Sequence, residues 1–110
     1  MNYYENNFVP VLLGDDRALF LALMAKYGTT VHIFSEKCPF AIKFSSFSRF
    51  HRIKSVPPEI LLMYLSYFAQ KCSDGKIPVI VSDRAHERAF EKIKNRLETD
   101  YLILSREEIL

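Results

Sequence analysis

Cysteine is scarce in this chain, with only Cys38 and Cys72 among 110 residues. Two isolated thiols make neither a disulfide framework nor a metal-ligand spacing, so reduced cytosolic cysteines are expected. Charge of one sign is also scarce. The formal net charge is +2 and the isoelectric point about 8.6, too mild a bias to imply an anionic partner. No apolar run approaches the roughly 20 residues needed to span a membrane. The start, MNYYENNF, lacks the basic and apolar regions of a secretion signal. Internal repeats and low-complexity tracts are missing. These absences leave a cytoplasmic globular domain with no membrane association.

What is present suits that reading. The apolar fraction is 49% and the charged fraction 25%, the balance of a folded domain. At this length roughly 65% of the unfolded surface can be buried, enough for one core. The whole chain, 1–110, is expected to be one domain, with 1–7 a loose polar arm.

The most telling stretch is VPVLLGDDRALFLALMAK, residues 9–26. An apolar run stops at Gly14, two aspartates follow, and apolar residues then recur at helical spacing. That is a buried strand feeding a helix through a tight turn. Asp15 or Asp16 can cap the helix by accepting a bond from its free N–H groups. Leu19, Phe20, Leu23 and Tyr27 share one face, and Gly28 is placed to end it. Further strands are expected at Thr30–Phe34, Phe50–Val56, Ile77–Val81 and Tyr101–Leu104. The segment 36–48 reads as an irregular connection. Pro57 and Pro58 should open a second helix, whose apolar residues lie almost all round, so it should be largely buried. Asp74-Gly75 should end it. Asp83 should cap a third helix with Ala89, Phe90, Ile93 and Leu97 facing the core. The closing SREEIL resembles the start of another element.

This alternation predicts an α/β fold. It is a three-layer α/β/α Rossmann-like domain with a mostly parallel sheet of about five strands and the first strand central. Ligands in such sheets bind at the carboxyl ends of the strands. Two turns fall on that edge. Gly14-Asp15-Asp16-Arg17 has one glycine where a dinucleotide fingerprint needs three, and its carboxylates would repel phosphate. It reads as a cap and tight turn, with Asp16 or Arg17 available to a polar small molecule. Ser82-Asp83-Arg84-Ala85-His86 follows the fourth strand. There Asp83 reads as a cap and His86 as an exposed side chain.

The stretch 37–54 carries Lys37, Lys43, Arg49, Arg52 and Lys54 interleaved with Phe40, Phe44, Phe47 and Phe50. Such a mixture can bind single-stranded nucleic acid, but the mild overall charge argues against it. The four phenylalanines instead suggest an interface with a further domain or a second copy. His32, His51 and His86 share no metal-ligand spacing, and Cys38 has no evident activating base.

The segments PVLLGDD, KYG, TVHIF, FSRFHRIKSVPP, PVIVSD and YLILS resemble the N-terminal pre-ATP-grasp domain of ATP-grasp ligases. The likeness is to the D-aspartate ligase and carbamoyl-phosphate-synthase-like group, with Ser48-Arg49 matching a serine–arginine pair before the third strand. The resemblance implies the first domain of a longer, ADP-forming ligase. With ATP and magnesium, such enzymes turn a carboxylate into an acyl phosphate, which an amine displaces. It implies that Gly14, Asp15, Asp16, Ser82 and Asp83 border the acceptor-substrate crevice. It also implies a downstream ATP-grasp domain as the partner, and a homodimer is possible. This chain carries no glycine-rich phosphate loop or magnesium cluster, so it should neither hold a cofactor nor catalyse alone. The alternative is a stand-alone Rossmann-like module that binds or senses a small molecule.

Overall fold

The computed structural model describes residues 7–37, 47–54, 57–72 and 75–110. Strand β1 (Phe8–Leu13) leads through Gly14 into helix α1 (Arg17–Tyr27). Asp16 is the cap: its side chain accepts the Leu19 N–H at 3.1 Å. At the other end Gly28 adopts φ 63°, and its N–H donates to the Met24 carbonyl. A residue with a Cβ is disfavoured there, which explains the glycine. Leu19, Phe20, Leu23 and Tyr27 are buried, as their spacing requires.

Strand β2 (Val31–Ser35) and strand β3 (Ser48–Arg52) follow. β3 starts earlier than the expected Phe50–Val56. Its pairing with β2 sets the register, Val31 opposite Ser48 and Ser35 opposite Arg52, and this pairing overrides a weak local alternation. Helix α2 (Pro58–Lys71) begins with Pro58 in its first turn, as proline allows. The helix stops at Lys71, with the Cys72 N–H donating to the Ala69 carbonyl, ahead of the expected Asp74-Gly75; Asp74 itself lies outside the described residues. Strand β4 (Ile77–Ser82), helix α3 (Glu87–Leu97), strand β5 (Leu102–Ile103) and the one-turn helix α4 (Arg106–Ile109) complete the chain. In α4, Ser105 and Glu108 form a reciprocal capping box, so SREEIL is indeed a helix start.

All pairings are parallel, in the order β3-β2-β1-β4-β5. β1 is central, consistent with its apolar residues on both faces. One face carries Val11, Leu13, Phe34 and Ile80 beneath Leu61 and Leu65 of α2 and Phe90, Ile93 and Leu97 of α3. The other carries Leu12, Val31, Ile33, Val79 and Val81 beneath Leu19, Phe20 and Leu23 of α1, with Ile109 of α4 beside them. The result is a three-layer α/β/α Rossmann-like domain. Each fully buried leucine contributes about 2 kcal/mol to the core by removal from water.

The Tyr101 hydroxyl donates to the Leu65 carbonyl at 2.6 Å, tying the start of β5 to α2. Helix α2 departs from expectation. Only Leu61 and Leu65 are buried, while Ile60, Met63, Tyr64 and Tyr67 face outward. A helix that is apolar all round has here been covered on one side.

Candidate small-molecule site at the switch point

The strand order fixes where a ligand can sit. From β1 the chain moves outward to β2 and β3, then returns to place β4 on the opposite side of β1. The carboxyl ends of β1 and β4 therefore diverge into a crevice at the topological switch point.

Asp83 stands at the end of β4 and is only 4% exposed. Its N–H donates to the Leu13 carbonyl at 2.9 Å, joining the two strand ends. Its carboxylate is fully engaged. One oxygen accepts the Asp15 N–H at 3.0 Å; the other accepts the His86 N–H at 3.0 Å and lies 2.8 Å from His86 Nδ1. Gly14 passes directly over this carboxylate with φ 125°, and any Cβ there would collide with it. Asp83 therefore does not cap α3 itself, as the sequence suggested. It bridges the turn before α1 and the turn before α3.

This arrangement bears on phosphate. In nucleotide-binding folds of this architecture, backbone N–H groups at the first strand–helix turn receive the anion. Here Asp83 already takes the Asp15 N–H, and Asp16 takes that of Leu19. Two internal carboxylates thus take N–H groups at this turn that an anion would otherwise receive. Among the described residues no three His, Cys, Asp or Glu side chains are grouped to hold a metal ion.

Asp83 and His86 shift each other's titration. Burial alone would push the Asp83 pKa up, but bonds from His86 and Asp15 and the nearby His86 charge outweigh it and hold it below the usual value. His86 is raised, chiefly by its bond to Asp83, against the opposing effect of burial; the charges of Asp83, Asp15 and Glu36 add to the rise. With Nδ1–H donating to Asp83, Nε2 is left for another partner. The expected exposed histidine is thus half-buried and oriented.

Beside this pair lies a cavity of about 310 Å³, lined by Glu36, Ile53, Lys54, Leu61, Ala85, His86 and Ala89. Glu36 follows β2, Lys54 stands just beyond β3, and His86 comes from the turn after β4. The site combines a carboxylate, an ammonium and an imidazole over an apolar floor. Of the residues picked out in the sequence, Gly14, Asp15, Ser82 and Asp83 come together. Asp16 is occupied as a cap, and Arg17 is exposed on the first turn of α1. Ser82 is buried, and its hydroxyl donates to the Asp83 carbonyl. Sequence reasoning missed Glu36 and placed Lys54 only in the basic stretch 37–54. The usable signal was their position immediately beyond strands.

A second unforeseen pair lies on the α2 face of the sheet. His32 Nδ1 and His51 Nε2 are 2.9 Å apart, with the His51 ring stacked on Phe34 and Phe68 against both histidines. The β2–β3 register puts both imidazoles on one face. Burial lowers His32 to about 4, helped by the neighbouring His51 and Arg49 charges. Burial and Arg49 lower His51 as well. Cys72 is half-buried, its thiol pushed up by burial.

Of the phenylalanines proposed as an interface, Phe40 and Phe44 lie outside the described residues, as does Cys38. Phe47 and Phe50 are both exposed, Phe50 beside Ile33 on the α1 side of the sheet. No described helix is long and apolar enough to cross a membrane. Comparison with known proteins finds no protein-family model, no curated protein and no solved structure that matches this chain.

Proposed function

We propose that this domain binds a zwitterionic small molecule, an α-amino acid, at the switch-point crevice. In a longer protein it would serve as the acceptor-substrate side of an ATP-dependent carboxylate–amine ligase. The observation that carries the reading is the charge pattern of the crevice. Glu36 and Lys54 carry opposite charges on the walls of one cavity, beside a histidine positioned by a buried aspartate. A carboxylate and an ammonium suit the two ends of an amino acid, and the volume suits a ligand of that size. His86, oriented by Asp83, can take a proton from a bound ammonium, which an amine must lose before it acts as a nucleophile. The resemblance to pre-ATP-grasp domains supports the same edge of the sheet and the same substrate class. ATP and magnesium would be held by the downstream ATP-grasp domain, since the first turn is filled by Asp83.

Calorimetric titration of the 110-residue chain with glycine, alanine and aspartate of both hands tests the reading. Binding of at least one is expected, with loss in Lys54→Met and Glu36→Gln. Absence of binding by all of them contradicts it. The parent reading frame provides a second check: an ATP-grasp region downstream is expected.

A further inference from the structure

Helix α2 holds an ordered row of side chains that none of the described residues covers. Glu59, Met63, Tyr67 and Lys71 stand four residues apart, so they form one ridge along its outer face. Met63 is 65% and Tyr67 60% exposed, and both ends of the ridge are exposed as well. Ile60 and Tyr64 lie beside it, also exposed. Large apolar side chains at i, i+3, i+4 and i+7 are the pattern of a buried helix face. A contiguous uncovered patch of this kind marks an interaction site.

The charges select the occupant. The ridge has a carboxylate at its N-terminal end, two apolar residues in the middle, and an ammonium about 18 Å away at its C-terminal end. A partner of one sign would be attracted at one end and repelled at the other. A second copy of the same ridge, running in the opposite direction, matches both ends. We propose that α2 is the dimer interface of this protein, packed against its own copy across a two-fold axis. Aligning the i±4 ridges of two antiparallel helices at the common crossing of about 50° brings Glu59 of one protomer to Lys71 of the other, twice. Met63 then meets Tyr67 across the axis, also twice. Lys71 is already held over the Tyr67 ring, its Nζ 4.9 Å from the centroid, so the cation is placed on the ridge before association. The antiparallel arrangement also sets opposite helix dipoles side by side. The interface lies on α2, apart from the Glu36–Lys54–His86 crevice, and does not depend on what that crevice binds.

Charge reversal tests the proposal, because these residues are exposed and their replacement leaves the core intact. Sedimentation of the 110-residue chain across the micromolar range should show a dimer that weakens with salt. Each single reversal, Glu59→Lys or Lys71→Glu, turns two attractions into two repulsions and should weaken association by about tenfold. The double variant should dimerise like the original chain. Mixing the two single variants should restore dimers, since each then meets the opposite charge at both ends. Circular dichroism confirms that each variant is folded. A chain that stays monomeric throughout, a dimer indifferent to both single reversals, or folded single variants that fail to pair when mixed would each overturn the proposal.

Discussion

The carboxylate of Asp83 lies where a side chain on Gly14 would have to be. This contact joins two turns that are 69 residues apart in sequence. A glycine at this turn commonly admits a phosphate close to the backbone. Here the same freedom admits an internal aspartate instead. The proposed ligand site accordingly lies beside this turn, in the cavity lined by Glu36, Lys54 and His86.

Gly14→Ala should be among the most destabilising single changes in the chain. The Cβ would meet Asp83, and φ 125° is strained for any L residue with a side chain. The expected loss is about 2–4 kcal/mol, read as a lower midpoint in urea denaturation with an unchanged slope. A loss below about 1 kcal/mol would mean that the two turns are not coupled as described.

Asp83→Asn should lower the pKa of His86. The present rise comes first from the bond to Asp83. A raised histidine pKa stabilises the fold below the unfolded value of 6.5, and that contribution is lost as pH rises through the folded value. The asparagine variant should lose this contribution, and NMR titration of the His86 ring should show the fall directly. An unchanged His86 titration would contradict the assignment.

The His32–His51 pair has the opposite sign. Both pKa values are lowered, so the folded state resists protons that the unfolded chain accepts. Its contribution is present above pH 6.5 and is lost as pH falls towards about 4. Asp83 adds acid sensitivity only below its usual 3.8, outside that window. Thermal melts should therefore drop between pH 6.5 and about 4, and His32→Phe should flatten the drop. Parallel profiles for the two proteins would exclude the pair as the cause.

Tyr101→Phe removes one buried hydroxyl from a 2.6 Å bond to the Leu65 carbonyl. The expected cost is about 1 kcal/mol, measured by denaturation, with the fold unchanged.

Where the determinants were local, the sequence was sufficient. The apolar run of β1, a cap at Asp15 or Asp16, the Gly28 stop and the Leu19–Tyr27 face of α1 depend on neighbours within a few residues; each is found, with Asp16 as the cap. The bounds of β3 were not legible, because an edge strand takes its register from β2 and its own alternation is weak. The exposure of Met63 and Tyr67 contradicts the composition of α2, since a sequence says that a helix wants cover but not whether its own domain supplies it. The crevice was half legible. Gly14 and Asp83 were marked by turn chemistry, whereas Glu36, Lys54 and the bond between Asp83 and His86 emerge only when distant strand ends meet.

The decisive measurement is a pair of NMR titrations of the isolated chain, one with an α-amino acid that binds in calorimetry and one with magnesium–ATP. The account predicts that the amino acid shifts the backbone signals of Glu36, Lys54, Ala85 and His86, while magnesium–ATP leaves Gly14 to Leu19 unmoved. Micromolar magnesium–ATP binding at Gly14 to Leu19, lost in Gly14 or Asp16 variants, would contradict it.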